Sequence, residues 1–195
     1  MDLIITGVGG QGVLTLGTIV GNCFLEMGYD VRVAEVHGLS QRGGSVLVHV
    51  RAGEKIFAPT ISAGYADLLI ALEGIEGARY VNYLKKNGDA IINNEIIPPP
   101  LPGISIPSLK NIKDVIKKYK VTYYFVDASS IARKLGNIRV TNVVMLGVAL
   151  GLKLLPFERE QVVRVLRTYI PKKYLDINIR ALDAGIVAGR DIVSR

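Results

Sequence analysis

The sequence predicts a single α/β domain over residues 1–195, with a doubly wound, mostly parallel sheet, helices on both faces and a helical C-terminal third. Three observations predict this fold. Short apolar runs alternate with segments whose apolar residues recur at helical spacing. One apolar run, residues 66–72, is typical of a central parallel strand. Beyond Asp127 the sequence shows helical patterns and no further strand pattern.

The first 36 residues predict a strand, a tight turn, a helix and a second strand. An apolar run at residues 3–6 ends in a glycine cluster. Apolar residues then recur at helical spacing over 13–27, and Gly28 is expected to end that helix. Residues 31–36 form the next apolar run and predict the second strand.

The middle of the chain predicts three further strands, of which residues 66–72 form the central one. Residues 45–51 alternate with a period of two, which predicts a half-buried strand. After the central strand, a helical pattern continues through Leu84 and is expected to close at Asn87-Gly88. A buried strand is then expected at residues 90–93.

A proline-rich segment separates these elements from the remainder of the chain. Residues 98–103 read PPPLPG, which favours neither a helix nor a central strand and predicts a stiff, extended connector. A basic helix is expected at 111–119 and a last strand at 121–126. No repeat or low-complexity segment is evident.

The composition favours a cytoplasmic protein without internal disulfides. Cys23 is the single cysteine, which excludes an internal disulfide and a cysteine-ligated zinc or iron–sulfur site built from this chain alone. No segment resembles a signal peptide. The longest apolar stretch, residues 143–155, is interrupted by Lys153 and is too short to span a bilayer. A membrane partner is therefore not expected.

Charge is unevenly distributed along the chain. Residues 1–100 contain 7 Lys/Arg and 10 Asp/Glu, whereas residues 101–195 contain 17 and 7. Solvated helix faces are the simplest explanation, and a docking face for an acidic partner is the alternative. The basic residues are dispersed, with no arginine-rich arm and no stacking aromatics among them, so nucleic acid is not an expected partner.

A glycine cluster joins the first strand to the first helix, which is the context of a Rossmann-like, dinucleotide-type turn. Glycines allow a tight bend and let an anion approach the backbone, while the following helix offers free N–H groups and a positive dipole end. Glu35, near the end of the second strand, lies where a ribose-binding acid is expected. The alternative is a tight turn that binds no ligand. The cluster consists of Gly7, Gly9, Gly10, Gln11 and Gly12.

A second loop follows the second strand and is expected at the same edge of the sheet. An arginine flanked by glutamine and two glycines is suited to binding a phosphate or carboxylate. The alternative is an ordinary turn in which Arg42 pairs with a nearby glutamate. The candidate residues of this loop are His37, Ser40, Gln41, Arg42, Gly43 and Gly44.

The remaining titratable groups favour structural roles. No nucleophile or paired carboxylate lies beside His37 in the sequence, so we expect a hydrogen-bonded structural histidine, and His49 is expected to be a strand residue. Cys23 lies on an apolar helical stripe and is expected to be buried. Glu73 and Glu76 follow the central strand and are explained as a helix-start pair stabilised by the helix dipole. No catalytic residue is identified.

Taken together, these motifs resemble the gamma domains of 2-oxoacid:ferredoxin oxidoreductases. The similarity follows the chain in order, and the pairing of HG with QRGG and with IPPP at 97–100 is most similar to the beta subunits of indolepyruvate ferredoxin oxidoreductases. The segments that resemble the family are GVGGQGV at 7–13, EVHG at 35–38, SQRGGSV at 40–46, PTI at 59–61, GYADLLIALE at 64–73 and ARY at 78–80.

The resemblance implies a larger partner subunit that carries thiamine diphosphate and ferredoxin-like iron–sulfur clusters. On this interpretation the complex oxidatively decarboxylates arylpyruvates to aryl-acetyl-CoA and passes electrons to ferredoxin. This chain shows no thiamine diphosphate motif and no cysteine motif, so it is expected to hold no cofactor and to be inactive alone. Its glycine-rich loops are expected to shape the subunit interface or to bind the phosphates of the co-substrate CoA, with Arg42 as the leading ligand.

Three alternatives stay open on the sequence. The chain is also compatible with a gamma subunit that serves a pyruvate, 2-oxoglutarate or 2-ketoisovalerate oxidoreductase. A stand-alone NAD(P)- or flavin-dependent enzyme, using the first glycine cluster and Glu35, predicts a nucleotide that binds the isolated chain. A structural subunit whose loops bind nothing predicts that loop substitutions affect assembly alone.

Overall fold

The computed structural model describes residues 1–38, 43–99 and 103–194. Short 3-10 turns occupy Val81–Tyr83 and Ile138–Val140. The strands of this part of the chain are β1 (Asp2–Val8), β2 (Asp30–His37), β3 (Ser45–Gly53), β4 (Ala66–Ala71), β5 (Leu84–Asn93) and β6 (Thr122–Val126). Its helices are α1 (Val13–Glu26), α2 (Gly74–Tyr80), α3 (Leu109–Ile116), α4 (Ala128–Lys134), α5 (Thr141–Gly151), α6 (Arg159–Tyr169) and α7 (Lys172–Val193).

The strands form one mostly parallel sheet in the order β2-β3-β1-β4-β5-β6. β1 pairs in parallel with β4, β4 with β5, and β5 with β6. β3 lies between β1 and β2 and is antiparallel to both. The predicted strand–turn–helix–strand unit is therefore present, but β3 separates its two strands. Because β2 still runs in the direction of β1, the carboxyl ends of both strands lie at the same edge of the sheet.

Helices cover both faces of the sheet, as predicted. Leu3 and Ile5 of β1 face one hydrophobic cluster, which includes residues of α1, α4, α5, α6 and α7. Ile4 faces a second cluster, in which the sheet packs against α2 and α3. This alternation follows from the period of two in a strand. Strands buried on both faces are typical of parallel sheets covered by crossover helices.

Two predictions about the middle of the chain are wrong in detail. The helix predicted to close at Asn87-Gly88 ends earlier, because α2 stops at Tyr80 and β5 already begins at Leu84. Asn87 adopts a positive φ of 63° and the register of β5 against β4 shifts nearby, so the Asn-Gly pair marks an irregularity within a strand. The strand predicted to be half-buried, β3, is buried on both faces because it is interior to the sheet.

The other element predictions are largely confirmed. Gly28 follows the end of α1 with a φ of 85°, the left-handed conformation in which glycine ends a helix. The predicted basic helix is α3, which begins with a capping box between Ser108 and Asn111. Pro98 and Pro99 lie in neither helix nor strand, and the rest of the predicted connector up to residue 102 lies outside the described residues.

Helices α5 and α7 pack backbone against backbone. Glycines recur at a spacing of four in each helix, Gly147 and Gly151 in α5 and Gly185 and Gly189 in α7. A Cβ atom built on Gly185 would lie 2.1 Å from the carbonyl oxygen of Val144 and 2.9 Å from the Cα of Gly147. These distances leave no room for a side chain at the crossing. Within the described part of the chain, no helix is long and apolar enough to cross a membrane.

Candidate ligand-binding edge of the sheet

The glycine turn after β1 is closed by the side chain of Gln11. Its Oε1 accepts the Val8 N–H at 2.8 Å, and its Nε2 donates to the carbonyl oxygen of Leu72 at 3.0 Å. A Cβ on Gly7 would lie 2.7 Å from the same Oε1, so a side chain at this position would displace the Gln11 amide. Gln11 and Gly7 were both predicted as loop residues of the site. The structure gives them the role of folding the turn and attaching it to the end of β4.

The turn presents an uncapped helix N-terminus. Gly12 is the N-cap of α1 and has a φ of 80°. Because glycine has no side chain, it cannot cap the helix with a side-chain hydrogen bond. The first turn of the helix contains no acidic residue. The carbonyl oxygen of Gly12 accepts the Leu16 N–H at 3.0 Å and the Asn142 Nδ2 at 3.2 Å, so α5 supports the turn from below. The first N–H groups of a helix lack intrahelical partners and, with the helix dipole, favour an anion.

A cleft of about 480 Å³ lies over this N-terminus. Its size is within the usual range for small-molecule sites. The cleft brings together five of the predicted site residues: Gly9, Gly10 and Gly12 of the turn after β1, and Glu35 and His37 of β2. Among the described residues, its lining consists of Val8, Gly9, Gly10, Gly12, Val13, Leu14, Thr15, Glu35, His37 and Val46.

His37 and Glu35 form the polar wall of the cleft on the side of β2. The His37 Nε2 lies 4.0 Å from Glu35 Oε1, and its Nδ1 lies 2.9 Å from the carbonyl oxygen of Gly38. His37 is thus hydrogen-bonded, as expected, but its side chain is 47% exposed. Both side chains are therefore accessible to a ligand with hydroxyl or amide groups.

The second predicted loop returns directly against the first. The Gly9 N–H donates to the carbonyl oxygen of Gly44 at 2.8 Å, and the Gly43 N–H donates to that of Gly9 at 3.5 Å. Gly43 and Gly44 therefore lie at the same edge of the sheet as the first glycine cluster. The other candidates of this loop, Ser40, Gln41 and Arg42, lie outside the described residues, so their roles stay predictions.

Glu73 and Glu76 begin α2, as predicted, but they also bind other segments. Glu73 is fully buried; its Oε2 accepts the Glu76 N–H at 2.8 Å and its Oε1 accepts the Ile97 N–H at 3.0 Å. Burial raises the pKa of Glu73, and the two backbone N–H groups oppose that rise. Glu76 accepts hydrogen bonds from Ser45 and Arg79. This cluster was not predicted from the sequence, although Ser45 and Tyr80 belong to two of the segments that resemble the family.

Asn93 is a further residue that the sequence did not single out. It is fully buried at the end of β5, where its Nδ2 donates to the carbonyl oxygen of Leu72 and to Ser129 Oγ. Its Oδ1 accepts the backbone N–H groups of Ala128 and Ser129. Because Leu72 also accepts from Gln11, one carbonyl oxygen joins the turn after β1 to the start of α4. The sequence feature that could have indicated this role is a polar residue, Asn93, at the end of an apolar strand.

The described residues include no group of three or more His, Cys, Asp or Glu side chains placed to hold a metal ion. Cys23 is fully buried, as predicted, and burial followed by the charge of Glu26 raises the pKa of its thiol to about 12. The thiolate, which is the reactive and metal-binding form, is therefore strongly disfavoured in the folded protein.

His49 makes stability depend on pH. Its ring is 3% exposed, its Nδ1 accepts the Ile61 N–H at 3.1 Å, and burial followed by the Arg51 charge lowers its pKa. A lowered pKa in the folded state means that the unfolded state binds the proton more tightly. This contribution to stability is therefore present above about pH 6.5, the ordinary histidine value, and is lost as the pH falls through the folded-state pKa.

We expect the free energy of unfolding to fall more steeply between pH 7.5 and 5 in the native protein than in His49→Gln, which has no titrating ring. Urea unfolding followed by circular dichroism at each pH measures both slopes. Equal slopes in the native protein and His49→Gln would contradict the role of His49.

The fold and the converging loops define a Rossmann-like α/β protein with an anion-suited edge. Residues 2–188 match the family described as pyruvate ferredoxin/flavodoxin oxidoreductase, and the chain belongs to this family. It is 38% identical over 197 residues to the indolepyruvate oxidoreductase subunit IorB of Pyrococcus horikoshii, covering 99% of this chain and 98% of that one. It is 40% identical over 188 residues to IorB of Archaeoglobus fulgidus, covering 95% and 93%. The predicted family is confirmed.

Solved structures confirm the fold. The chain is similar to the gamma subunit of a keto/oxoacid ferredoxin oxidoreductase from Geobacter sulfurreducens, with a TM-score of 0.72, 19% identity, and 97% and 98% of the two chains covered. It is also similar to a 2-oxoglutarate:ferredoxin oxidoreductase from Magnetococcus marinus, with a TM-score of 0.74 and 18% identity. There the likeness covers 98% of this chain and 31% of the other, so the fold recurs as one part of a longer chain.

Proposed function

We propose that this chain is the small subunit of an indolepyruvate ferredoxin oxidoreductase and that residues 1–195 form its single gamma-type domain. The observation that supports this most strongly is the length of the match. Identity of 38–40% to indolepyruvate oxidoreductase subunits extends over nearly the whole of both chains, which supports a shared single domain. In this role the chain is inactive alone and completes an active enzyme in the cytoplasm when it binds its partner.

The partner in this proposal is a larger alpha subunit that supplies thiamine diphosphate and iron–sulfur clusters. The complex decarboxylates the 2-oxoacid oxidatively, transfers the acyl group to CoA and passes the electrons to ferredoxin. The environment of Cys23 supports this division of labour. It is the only cysteine of the chain, and its burial and raised pKa make it a poor cluster ligand.

The contribution of this chain is to bind phosphate groups of CoA at the converging loops. Three features support this proposal: the uncapped N-terminus of α1, the absence of acidic residues in its first turn, and an opening of suitable size above it. Glu35 is suited to a ribose hydroxyl on the wall of the same cleft. Arg42 is the proposed phosphate ligand in the adjoining loop.

We expect Arg42→Ala to raise the KM for CoA about tenfold in the assembled enzyme, which corresponds to the loss of a charge-assisted hydrogen bond. Steady-state assays at varied CoA measure this value, and size-exclusion chromatography checks assembly. Arg32→Ala is the matched control, because Arg32 pairs with Asp30 at the opposite end of β2. A KM for CoA that stays at the native value would remove Arg42 as a ligand.

The experiment that tests the proposed function mixes this chain with the candidate large subunit. Indolepyruvate- and CoA-dependent reduction of a viologen dye is followed for each subunit alone and for the mixture. We expect activity only in the mixture. If the two chains neither bind nor react, and a nucleotide binds this chain alone, the NAD(P)- or flavin-dependent alternative is correct.

The second candidate function is a subunit that serves a different 2-oxoacid, and similarity to a ketoisovalerate oxidoreductase subunit favours it. The chain is 29% identical over 190 residues to the ketoisovalerate oxidoreductase subunit VorA of Methanothermobacter thermautotrophicus, covering 96% of this chain and 36% of that one. The same dye assay with pyruvate, 2-oxoglutarate and 2-ketoisovalerate distinguishes the substrates. A complex that turns over one of these acids but not indolepyruvate would retain the family role and change the substrate.

A further inference from the structure

We infer that Ser45 and Glu76 are positioning residues that hold Gly43 and Gly44 against the glycine turn after β1, whose Gly9 lines the cleft. This inference rests on the proposed function, since it concerns the same site. It assigns a role to two side chains that do not line the cleft themselves. They act through the backbone of Gly43, Gly44 and Gly9.

Ser45 connects the loop to helix α2. It is the first residue of β3, and its Oγ donates to Glu76 Oε2 at 2.5 Å and lies 3.0 Å from the hydroxyl of Tyr80. The side chain of Glu76 is only 6% exposed. A hydrogen bond to a carboxylate is about twice as strong as one between neutral groups, and burial shields this bond from water.

Besides Ser45, Glu76 forms hydrogen bonds with Glu73 and Arg79. Its N–H donates to the fully buried carboxylate of Glu73 at 2.8 Å, which fixes the start of α2. Its second carboxylate oxygen, Oε1, accepts from Arg79 Nε at 3.2 Å. A buried carboxylate needs such a partner for its charge. Because both oxygens are engaged, the carboxylate presents a fixed acceptor to Ser45.

The residues between Ser45 and the cleft have no side chains of their own to hold them. Gly43 and Gly44 are bonded through the backbone to Gly9, which is part of the cleft lining. Glycine restricts the backbone less than any other residue, so the position of this segment depends on its neighbours. Ser45 anchors it on the side of α2, and Gly9 holds it on the side of β1. Without the Ser45–Glu76 bond, only the backbone pairing of β3 with β1 holds the segment at that end.

Hydrogen–deuterium exchange on the assembled complex, together with CoA kinetics, tests the inference. We expect Ser45→Ala and Glu76→Ala to accelerate exchange locally, in peptides that contain Gly9 or Gly44, and to raise the KM for CoA about tenfold with a smaller effect on kcat. Ser45→Thr keeps the hydroxyl and should restore native exchange and KM. Glu26→Gln is the control, because that carboxylate pairs with Arg164 at the far end of α1.

The outcomes separate this inference from the proposed function. Faster local exchange in both alanine variants supports the positioning role. If, in addition, none of Ser45→Ala, Glu76→Ala and Arg42→Ala changes the KM for CoA, the assignment of CoA to this site fails while the positioning role stands. A raised KM in Arg42→Ala with native exchange and KM in Ser45→Ala and Glu76→Ala would overturn the inference and leave the function intact. Exchange that accelerates over the whole chain in both alanine variants would also overturn it, since that is general destabilisation. If Glu76→Ala does not fold, the comparison of exchange and KM between Ser45→Ala and Ser45→Thr tests the inference.

Discussion

Replacing Gly185 with alanine is expected to lower the free energy of unfolding by about 3 kcal/mol. The new Cβ would lie 2.1 Å from the carbonyl oxygen of Val144 and 2.9 Å from the Cα of Gly147. Both neighbours are backbone atoms, so the contact is relieved only if α5 and α7 separate. Alanine is a better helix former than glycine by about 1 kcal/mol, so the loss arises from packing and not from helix propensity. Urea unfolding of the purified protein measures it.

Val187→Ala on the same helix is the control for Gly185→Ala. Val187 is 56% exposed, and its truncation should change the free energy of unfolding by less than about 0.5 kcal/mol. The double variant Gly147→Ala/Gly185→Ala should lose less than the sum of the single variants, because one separation of the helices relieves both contacts. A Gly185→Ala protein as stable as the native one would show that the two helices do not pack this closely.

Local patterns were sufficient to predict the elements whose geometry is set by nearby residues. The apolar run of β1 reflects burial on both faces of the sheet, and the helical spacing in α1 reflects burial on one face of the helix. Gly28 ends α1 because its φ of 85° is a conformation that glycine adopts without strain. In these cases the information lies within a few residues, so a sequence pattern is enough.

Strand pairing could not be predicted in the same way, because it depends on remote residues. The alternation in residues 45–51 indicated one exposed face, yet β3 lies between β1 and β2 and its polar His49 is buried against Ile61. A buried histidine with a backbone partner looks the same in sequence as an exposed one. Asn87-Gly88 is ambiguous for a related reason, since a positive φ serves both a helix end and an irregular strand.

The candidate site was predicted as a location more accurately than as a set of side-chain roles. Parallel strands place their carboxyl ends at one edge, so the meeting of the two glycine-rich loops follows from the order of the elements. The direction in which each side chain points does not follow from that order. Gln11 turns inward to Leu72, and Ser45 bonds to Glu76 thirty-one residues away. Asn142 reaches Gly12 across a separation of 130 residues, which no local motif indicates.

We expect Gly12→Ala to have the second-largest effect on stability, a loss of about 2–3 kcal/mol in the free energy of unfolding. Two costs combine at this position. The φ of 80° is left-handed, which costs an L-residue roughly 1–2 kcal/mol. In addition, a Cβ would lie 2.5 Å from Asn142 Nδ2, and the Asn142 side chain is buried and bonded to the carbonyl oxygen of Gly12. Urea unfolding measures the sum.

Gly28→Ala separates the two costs, because Gly28 has a similar φ of 85° and no atom within 4 Å of its Cβ position. It should show the backbone strain alone, about 1 kcal/mol, and the excess in Gly12→Ala is the contact with Asn142. The double variant Gly12→Ala/Asn142→Ala then tests that contact, since its loss should be smaller than the sum of the two single losses. If Gly12→Ala costs no more than Gly28→Ala, Asn142 yields freely and α5 does not support the turn. If the excess is present and vanishes in the double variant, the position of the glycine turn depends on a helix 130 residues further along the chain.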